Sequence, residues 1–253
     1  MRGNDTTMNI SILQLIEGSR TAVGLTVIID VFRAFSVACY VTANGVKELI
    51  PVGNIETAYR LKKDCPEYIL MGERGGIIQP GFDYGNSPSH IKSVNFTGKT
   101  VVHTTSAGTQ GIVNAVHADE IITGSFVNVQ AIIEYIRMKN PESVSLVCMG
   151  WEGTEEADED TLCAQYIKNA LEGKPNDFED MVRYLRDESK TGKFLDVKGE
   201  ASVPSEDFDL CLSLDHFNFV LKVESYGGPL LHLRKIELLN SGKAMENDVA
   251  RAN

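Results

Sequence analysis

Short apolar runs recur along the first two-thirds of the chain, each bounded by turn residues and followed by a stretch with helical spacing. The runs are ISILQLI (10–16), LTVIID (25–30), KELIPV (47–52), YILMGE (68–73), TVVHTT (100–105), EIITGS (120–125) and VSLVCMG (144–150). Several are apolar on both faces, as strands covered on both sides must be. Between them, Asn54 precedes IETAYRLKKD, Asn128 precedes VQAIIEYIRMK, and the acidic EEADED precedes TLCAQYIKNALEG, which are helix-start signals. RAFSVACYVTAN (33–44) and QGIVNAVH (110–117) read as two further helices, and Gly173 with Pro175 beyond it as a helix stop. Strands alternating with helices predict an α/β fold, a three-layer α/β/α arrangement around a mainly parallel or mixed sheet.

After residue 175 the pattern changes. DFEDMVRYLRDE puts Phe178, Met181, Val182 and Leu185 on one helical face, which predicts a covering helix. FNFVLKVE and PLLHLRKIEL flank SYGG and predict an antiparallel pair, so the chain should close on a helical and antiparallel segment. The last dozen residues are polar and predicted to fray. One unit over 1–253 is expected, and a subdivision would fall near 175.

Composition narrows the classes. With 43% hydrophobic and 23% charged residues and no repeat, the chain is ordinary for a globular protein. Its 24 basic and 35 acidic residues leave a net charge of −11, a field that repels polyanions, so no nucleic-acid partner is expected. No apolar run is long enough to span a bilayer and the first residues lack a signal core, so no membrane partner and a cytoplasmic location are expected. The five cysteines are scattered without a C-x-x-C pair and read as small buried hydrophobes in a reducing compartment. Enzymes of this size are often symmetric dimers, so a homodimer is one option that the sequence leaves open.

Most strong signatures are absent: no G-x-G-x-x-G, no G-x-x-x-x-G-K-[ST], no G-x-S-x-G and no H-E-x-x-H. What remains is a set of acids at the carboxyl ends of predicted strands, where open α/β sheets place their ligands. Asp30 ends one strand and Glu73 another, and Asp158, Glu159 and Asp160 follow a third. Crowded carboxylates repel unless a cation holds them, which points to a hard metal such as magnesium. Asp30 as a plain helix cap, and the 155–160 stretch as a solvated helix start, are the bland alternatives. Arg33 lies just after Asp30 and Arg74 directly after Glu73, so each acid carries a guanidinium able either to take a phosphate or sulfonate or to form a local salt bridge. TTSAGT (104–109) and TGSFVN (123–128) are turns whose N–H groups could cradle an anion, or ordinary strand-to-helix turns.

Together, VIIDVFRA (27–34), GERGGIIQPGFDYGNSP (72–88), TTSAGT, GSFVN (124–128) and EDTLCA (159–164) resemble the 2-phosphosulfolactate phosphatase (ComB-like) family. The likeness runs from about 25 to 172, and more loosely into VPSEDFDLCLSLD. It implies magnesium-dependent hydrolysis of the phosphate ester of 2-phospho-3-sulfolactate in a pathway to coenzyme M. This chain departs from the family in reading Ser106-Ala107 where a single Asn is usual, and Phe35 where a small hydroxyl residue is usual.

On this basis magnesium is expected on Asp30, Glu73 and Asp160, and Asp30, Arg33 and Asp83 are the catalytic candidates, with Asp83 as the base. A small anionic phosphorylated substrate is expected on Arg33, Arg74, Asn86, Thr104, Thr105, Ser106, Gly108, Thr109, Ser125 and Asn128. Two alternatives stand beside this: a phosphatase for another phosphorylated 2-hydroxy acid, and a noncatalytic module that binds such a metabolite without releasing phosphate.

Overall fold

Strand β2 (Gly24–Ile29) is buried at every position. Its side chains alternate between two cores, Ile28 in one and Leu25, Val27 and Ile29 in the other, as required in the middle of a covered sheet. The computed structural model describes residues 8–190 and 204–238. Within them β2 is central to a six-stranded sheet containing β1 (Asn9–Gln14), β6 (Ala118–Gly124), β7 (Ser143–Cys148), β8 (Phe219–Gly227) and β9 (Leu230–Glu237), in the order β1-β7-β2-β6-β8-β9. The first four strands in that order run parallel, whereas β8 is antiparallel to β6 and to β9. The mixed sheet and the terminal antiparallel pair are as the pattern predicts.

The strands predicted over 47–52, 68–73 and 100–105 do not join that sheet. As β3 (Glu48–Pro51), β4 (Ile69–Gly72) and β5 (Thr100–Thr104) they form a second, parallel sheet in the order β3-β5-β4. The cause is α2 (Ala34–Ala43), in which every residue from Ala34 to Thr42 is buried. A helix that is apolar all round must be covered all round. Leu49, Met71 and Val101 of the second sheet and Ile28, Val147 and Leu221 of the first share one core with it. Burying a single Ile or Leu side chain in this way contributes about 1.5–3 kcal/mol.

Helices α1 (Leu15–Thr21) and α5 (Gly108–Asn114) lie on this same side. The other face of the large sheet is covered by α6 (Val129–Lys139), α7 (Asp158–Leu171) and α8 (Phe178–Asp187), with Ile132, Ile136, Cys163, Ile167 and Leu185 in its core. Helix α3 (Ile55–Asp64) covers the second sheet through Ala58, and the Asn54 side chain caps it by accepting from Glu56 N at 2.8 Å. Among the described residues there are also two short helices, α4 (Pro88–Ile91) and α9 (Ser205–Cys211).

Some boundaries differ from the sequence pattern. The run predicted as one strand over 10–16 ends at Gln14, because Leu15 takes a left-handed φ of 66° and opens α1. Asn128, predicted to cap α6 with its side chain, instead closes a capping box with Ser125 around a 3-10 turn over Phe126–Asn128. The free cysteines 39, 148, 163 and 211 are buried and Cys65 is half-buried. The final dozen residues lie outside the described ones. Among the described residues, no helix is long and apolar enough to cross a membrane.

Parallel pairing sends β2, β6 and β7 out along one edge of the large sheet, and β4 and β5 out along one edge of the small sheet. The two edges meet across a cleft.

Candidate active site

The cleft has a volume of about 390 Å³ and is lined from both sheets. From the large sheet come Asp30, Phe32 and Arg33 after β2, and Gly150, Trp151, Glu152, Glu155 to Glu159 after β7. From the small sheet come Glu73, Gly76 and Asn86 after β4, and Ser106 and Ala107 after β5. Tyr184, Glu188, Ser189 and Lys190 at the end of α8 close one side. Acids far outnumber Arg33 and Lys190 along this lining, so an anion entering it needs compensating positive charge.

Asp30 sits at the exit of β2, with Oδ1 accepting from Ala34 N at 2.9 Å. Burial pushes its carboxyl up from the ordinary 3.8 to about 7, the Ala34 and Gly108 N–H groups pull it down, and the charges of Glu73 and Glu159 push it further up. Gly108 is required there: a Cβ would stand 2.8 Å from Asp30 Oδ2 and 2.8 Å from Ala34 Cβ. Asp160 is also raised well above the carboxylate range, by burial first and then by Asp30 and Glu159. Its Oδ1 accepts from Val31 N and its Oδ2 from Gly150 N, both at 2.8 Å. It therefore ties the exits of β2 and β7 together from behind the cleft. The neighbour that lines the cleft is Glu159, which is 7% exposed.

Glu73 joins the two loops of the small sheet. Its Oε1 accepts from Ser106 N at 2.7 Å, and its Oε2 from Gly76 N at 2.7 Å and Ser106 Oγ at 3.0 Å. The backbone gets there only because residue 72 is glycine, with φ 135° and the Thr104 carbonyl oxygen 1.8 Å from where a Cβ would be. Asn86 lines the opposite wall, its Oδ1 3.3 Å from His103 Nε2. A carbonyl oxygen can only accept, so Nε2 carries the proton. Burial, helped by the charge of Arg74, depresses His103 to about 4 and keeps it neutral. With its oxygen turned to His103, the Asn86 amide has N–H groups to offer the cleft.

The two arginines part company. Arg33 lines the cleft and is held by Asp207, Nη1 to Oδ2 at 2.6 Å. Arg74 does not line it. It donates to Glu73 O at 2.7 Å, Gly53 O at 3.0 Å and Thr104 Oγ1 at 2.6 Å, a clasp across three segments of the small sheet. Burial lowers its pKa against the opposing pull of Glu73.

Several predicted site residues lie off the cleft, and each has a local reason. Asp83, expected to be the base, turns back to accept from Leu70 N at 2.8 Å and Lys62 Nζ at 3.2 Å. Thr105 and Thr109 bond to each other, and Thr104 holds Arg74. Ser125 and Asn128 are fully buried, one against Ser36 Oγ at 2.7 Å, the other donating to Phe219 O at 3.2 Å. Phe35 is a core residue, so it leaves no gap in the cleft wall. Of the residues not singled out from the sequence, Asp207 and His103 support the site, and Trp151 and Phe32 line it. Asp207 stands in the loosely similar stretch VPSEDFDLCLSLD, the one signal that could have found it.

Among the described residues no group of three or more His, Cys, Asp or Glu side chains forms a ready metal cage, and with Asp160 behind the wall the expected trio does not assemble. The donor chemistry still suits a hard cation. Asp30 and Glu73 offer carboxylate oxygens that repel each other across the cleft, and magnesium characteristically takes one or two carboxylates, with water and substrate phosphate completing its shell.

A family model described as 2-phosphosulpholactate phosphatase matches residues 10–225. The chain belongs to that family. A relative from Bacillus subtilis named "Probable 2-phosphosulfolactate phosphatase" is 30% identical over 223 residues, covering 87% of this chain and 96% of the relative. One of the same name from Caldanaerobacter subterraneus is 36% identical over 79% of this chain and 87% of its own length. Another, from Clostridium tetani, is 39% identical over 67% of this chain and 70% of its own length. Every residue lining the cleft lies within the matched span, and so does Asp207. Family membership makes the chain a phosphoric monoester hydrolase.

Proposed function

We propose that the cleft hydrolyses the phosphate ester of 2-phospho-3-sulfolactate to 3-sulfolactate and phosphate, with magnesium, as a step of a sulfonate pathway of the coenzyme M type. The observation that carries the reading is the meeting of Asp30, Glu73 and Glu159 with Arg33 and Asn86 at the edges of two sheets, in a member of this family. Asp30 and Glu73 would hold the magnesium ion, which when bound supplies the positive charge this acidic lining lacks.

Arg33 and the Asn86 amide bind the anionic groups of the substrate, the guanidinium as a fork and the amide as a single donor. Glu159 replaces Asp83 as the acceptor for the proton of the attacking water, since it is the buried acid left on the lining once Asp30 and Glu73 are assigned. Water oxygen bonds to phosphorus, the ester P–O bond breaks, and the leaving alkoxide takes up a proton to give the hydroxy acid. Phe32 and Trp151 wall the cleft with apolar surface and reduce its water, which strengthens each charged contact.

The test is phosphate release from 2-phospho-3-sulfolactate and from other phosphorylated 2-hydroxy acids, run with magnesium and then with a chelator. Magnesium-dependent release is expected, fastest with the sulfonate. Tight binding without release in either condition would sink the reading in favour of a binding module. Glu159→Gln should lower kcat on the order of a hundredfold with KM little changed.

A further inference from the structure

Arg33 cannot position itself, because its partner comes from α9, 174 residues farther along the chain. Asp207 is fully buried, and its two oxygens are divided between two walls of the cleft. Oδ2 accepts from Arg33 Nη1 at 2.6 Å. Oδ1 accepts from Ser87 Oγ and from Ser89 N, both at 2.9 Å. Ser87 directly follows Asn86, so one carboxylate ties the cleft's arginine to the loop that carries its amide. A second contact acts at the same place: the Phe208 ring stacks on Phe32, the cleft-lining neighbour of Arg33, with centroids 5.6 Å apart and planes at 20°.

A guanidinium holds five N–H donors in a rigid fork, so holding Asp207 through Nη1 fixes its plane while leaving donors for an oxyanion. Without that anchor the side chain would have to be ordered by the substrate itself, at a cost in affinity. We propose that Asp207 is a positioning residue, which holds Arg33 and the Ser87–Ser89 stretch in one geometry and so sets the anion-binding wall of the cleft from α9. This rests on the reading that Arg33 takes an anionic group of the substrate.

The experiment is a double-mutant cycle on the full chain with Asp207→Asn, Arg33→Ala and the pair, with magnesium present throughout. The readouts are the Kd for inorganic phosphate by calorimetry, KM and kcat for phosphorylated 2-hydroxy acids, and thermal midpoint. Asp207→Asn should weaken phosphate and raise KM by about tenfold while kcat falls less than about threefold, and on the Arg33→Ala background it should add nothing beyond about twofold. If Asp207→Asn does not fold, Ser87→Ala removes one donor from the same carboxylate and should give about a threefold weakening with the same dependence on Arg33. A loss of equal size in both backgrounds, or a lower thermal midpoint with Kd and KM unchanged, would show that Asp207 only supports the fold, and would overturn the proposal. If the wild-type chain releases phosphate from none of the esters, the functional reading fails while the phosphate cycle still decides the role of Asp207. A wild-type chain that does not bind phosphate overturns it.

Discussion

Asp30 with Arg33 and Glu73 with Arg74 look like the same device written twice: an acid at a strand exit with a guanidinium beside it. The two pairs behave in opposite ways. On the large sheet the acid is under-compensated and raised to about 7, while its arginine lines the cleft. On the small sheet Glu73 accepts three hydrogen bonds from its own loops, and Arg74 spends its fork on Glu73 O, Gly53 O and Thr104 Oγ1. One pair offers both its acid and its guanidinium to the cleft. In the other only the acid reaches the lining, and the arginine builds the wall. The difference arises from what each arginine meets: Arg33 faces a remote carboxylate on α9, whereas Arg74 faces the Glu73 and Gly53 carbonyls and the Thr104 hydroxyl where three segments converge.

The sharpest way to break the comparison is Asp30→Asn. Phosphate release should fall on the order of a thousandfold, while the fold is kept because the amide oxygen can still accept from Ala34 N. Stability should move the other way. A carboxyl whose folded pKa of about 7 exceeds its ordinary 3.8 binds more protons in the folded chain between those values, so stability falls as pH rises from about 4 to about 7 and then levels off. In chelator, Asp30→Asn should remove that slope and be more stable than the wild type above pH 7, on the order of 1–3 kcal/mol. Thermal midpoints from pH 4.5 to 8.5 measure this, and magnesium should raise the wild-type midpoint at pH 8 but not that of the variant. Equal pH profiles for the two proteins would show that Asp30 is compensated after all.

Next in size is the contrast between the arginines themselves. Arg33→Ala should lower kcat/KM about a hundredfold and also cost stability, since it leaves the buried Asp207 carboxylate without its counter-charge. Arg74→Ala should do little to KM. It takes a donor from Glu73 O, Gly53 O and Thr104 Oγ1, of which Gly53 O keeps the Gln110 amide at 2.6 Å, so a loss of about 1–3 kcal/mol in stability is expected by urea unfolding. An Arg74→Ala protein with wild-type stability and a KM raised tenfold would reverse the two roles.

What could be read from the sequence follows the same division. The strands, the Asn54 cap, the Gly173 stop and the terminal hairpin rest on local pattern, and apart from the early end of β1 at Gln14 they stand where that pattern puts them. Asp30 and Glu73 were found as acids at strand exits because a parallel strand delivers its next residue to the sheet edge whatever lies around it. The direction of a side chain at that edge is set by distant partners. Nothing near Arg74 in sequence reveals that the Gly53 carbonyl will be within reach, and nothing near Arg33 announces Asp207. The split into two sheets was hidden for a related reason, since it depends on α2 being buried on every side, a property of the assembled layers. Asp160 and Glu159 are adjacent in the first turn of α7, and the helix's rotation alone decides that Glu159 lines the cleft.

The smallest expected effect concerns Asp83, which sits in the stretch GERGGIIQPGFDYGNSP. Its Oδ2 accepts from Leu70 N and pairs with Lys62, and its side chain is 39% exposed. Such an acid registers the loop against β4; it does not move a proton in the cleft. Asp83→Asn preserves an acceptor for Leu70 N and loses only a half-exposed ion pair, worth at most about 0.5–1 kcal/mol. Turnover within about twofold of wild type is therefore expected, with Asp83→Ala costing somewhat more stability because it leaves the Leu70 N–H without its acceptor. A fall in kcat on the order of a hundredfold in Asp83→Asn, with the thermal midpoint unchanged, would mean that the loop swings its acid over the cleft during turnover. The base would then belong to the small sheet, and the division of labour between the two acid–arginine pairs would have to be redrawn.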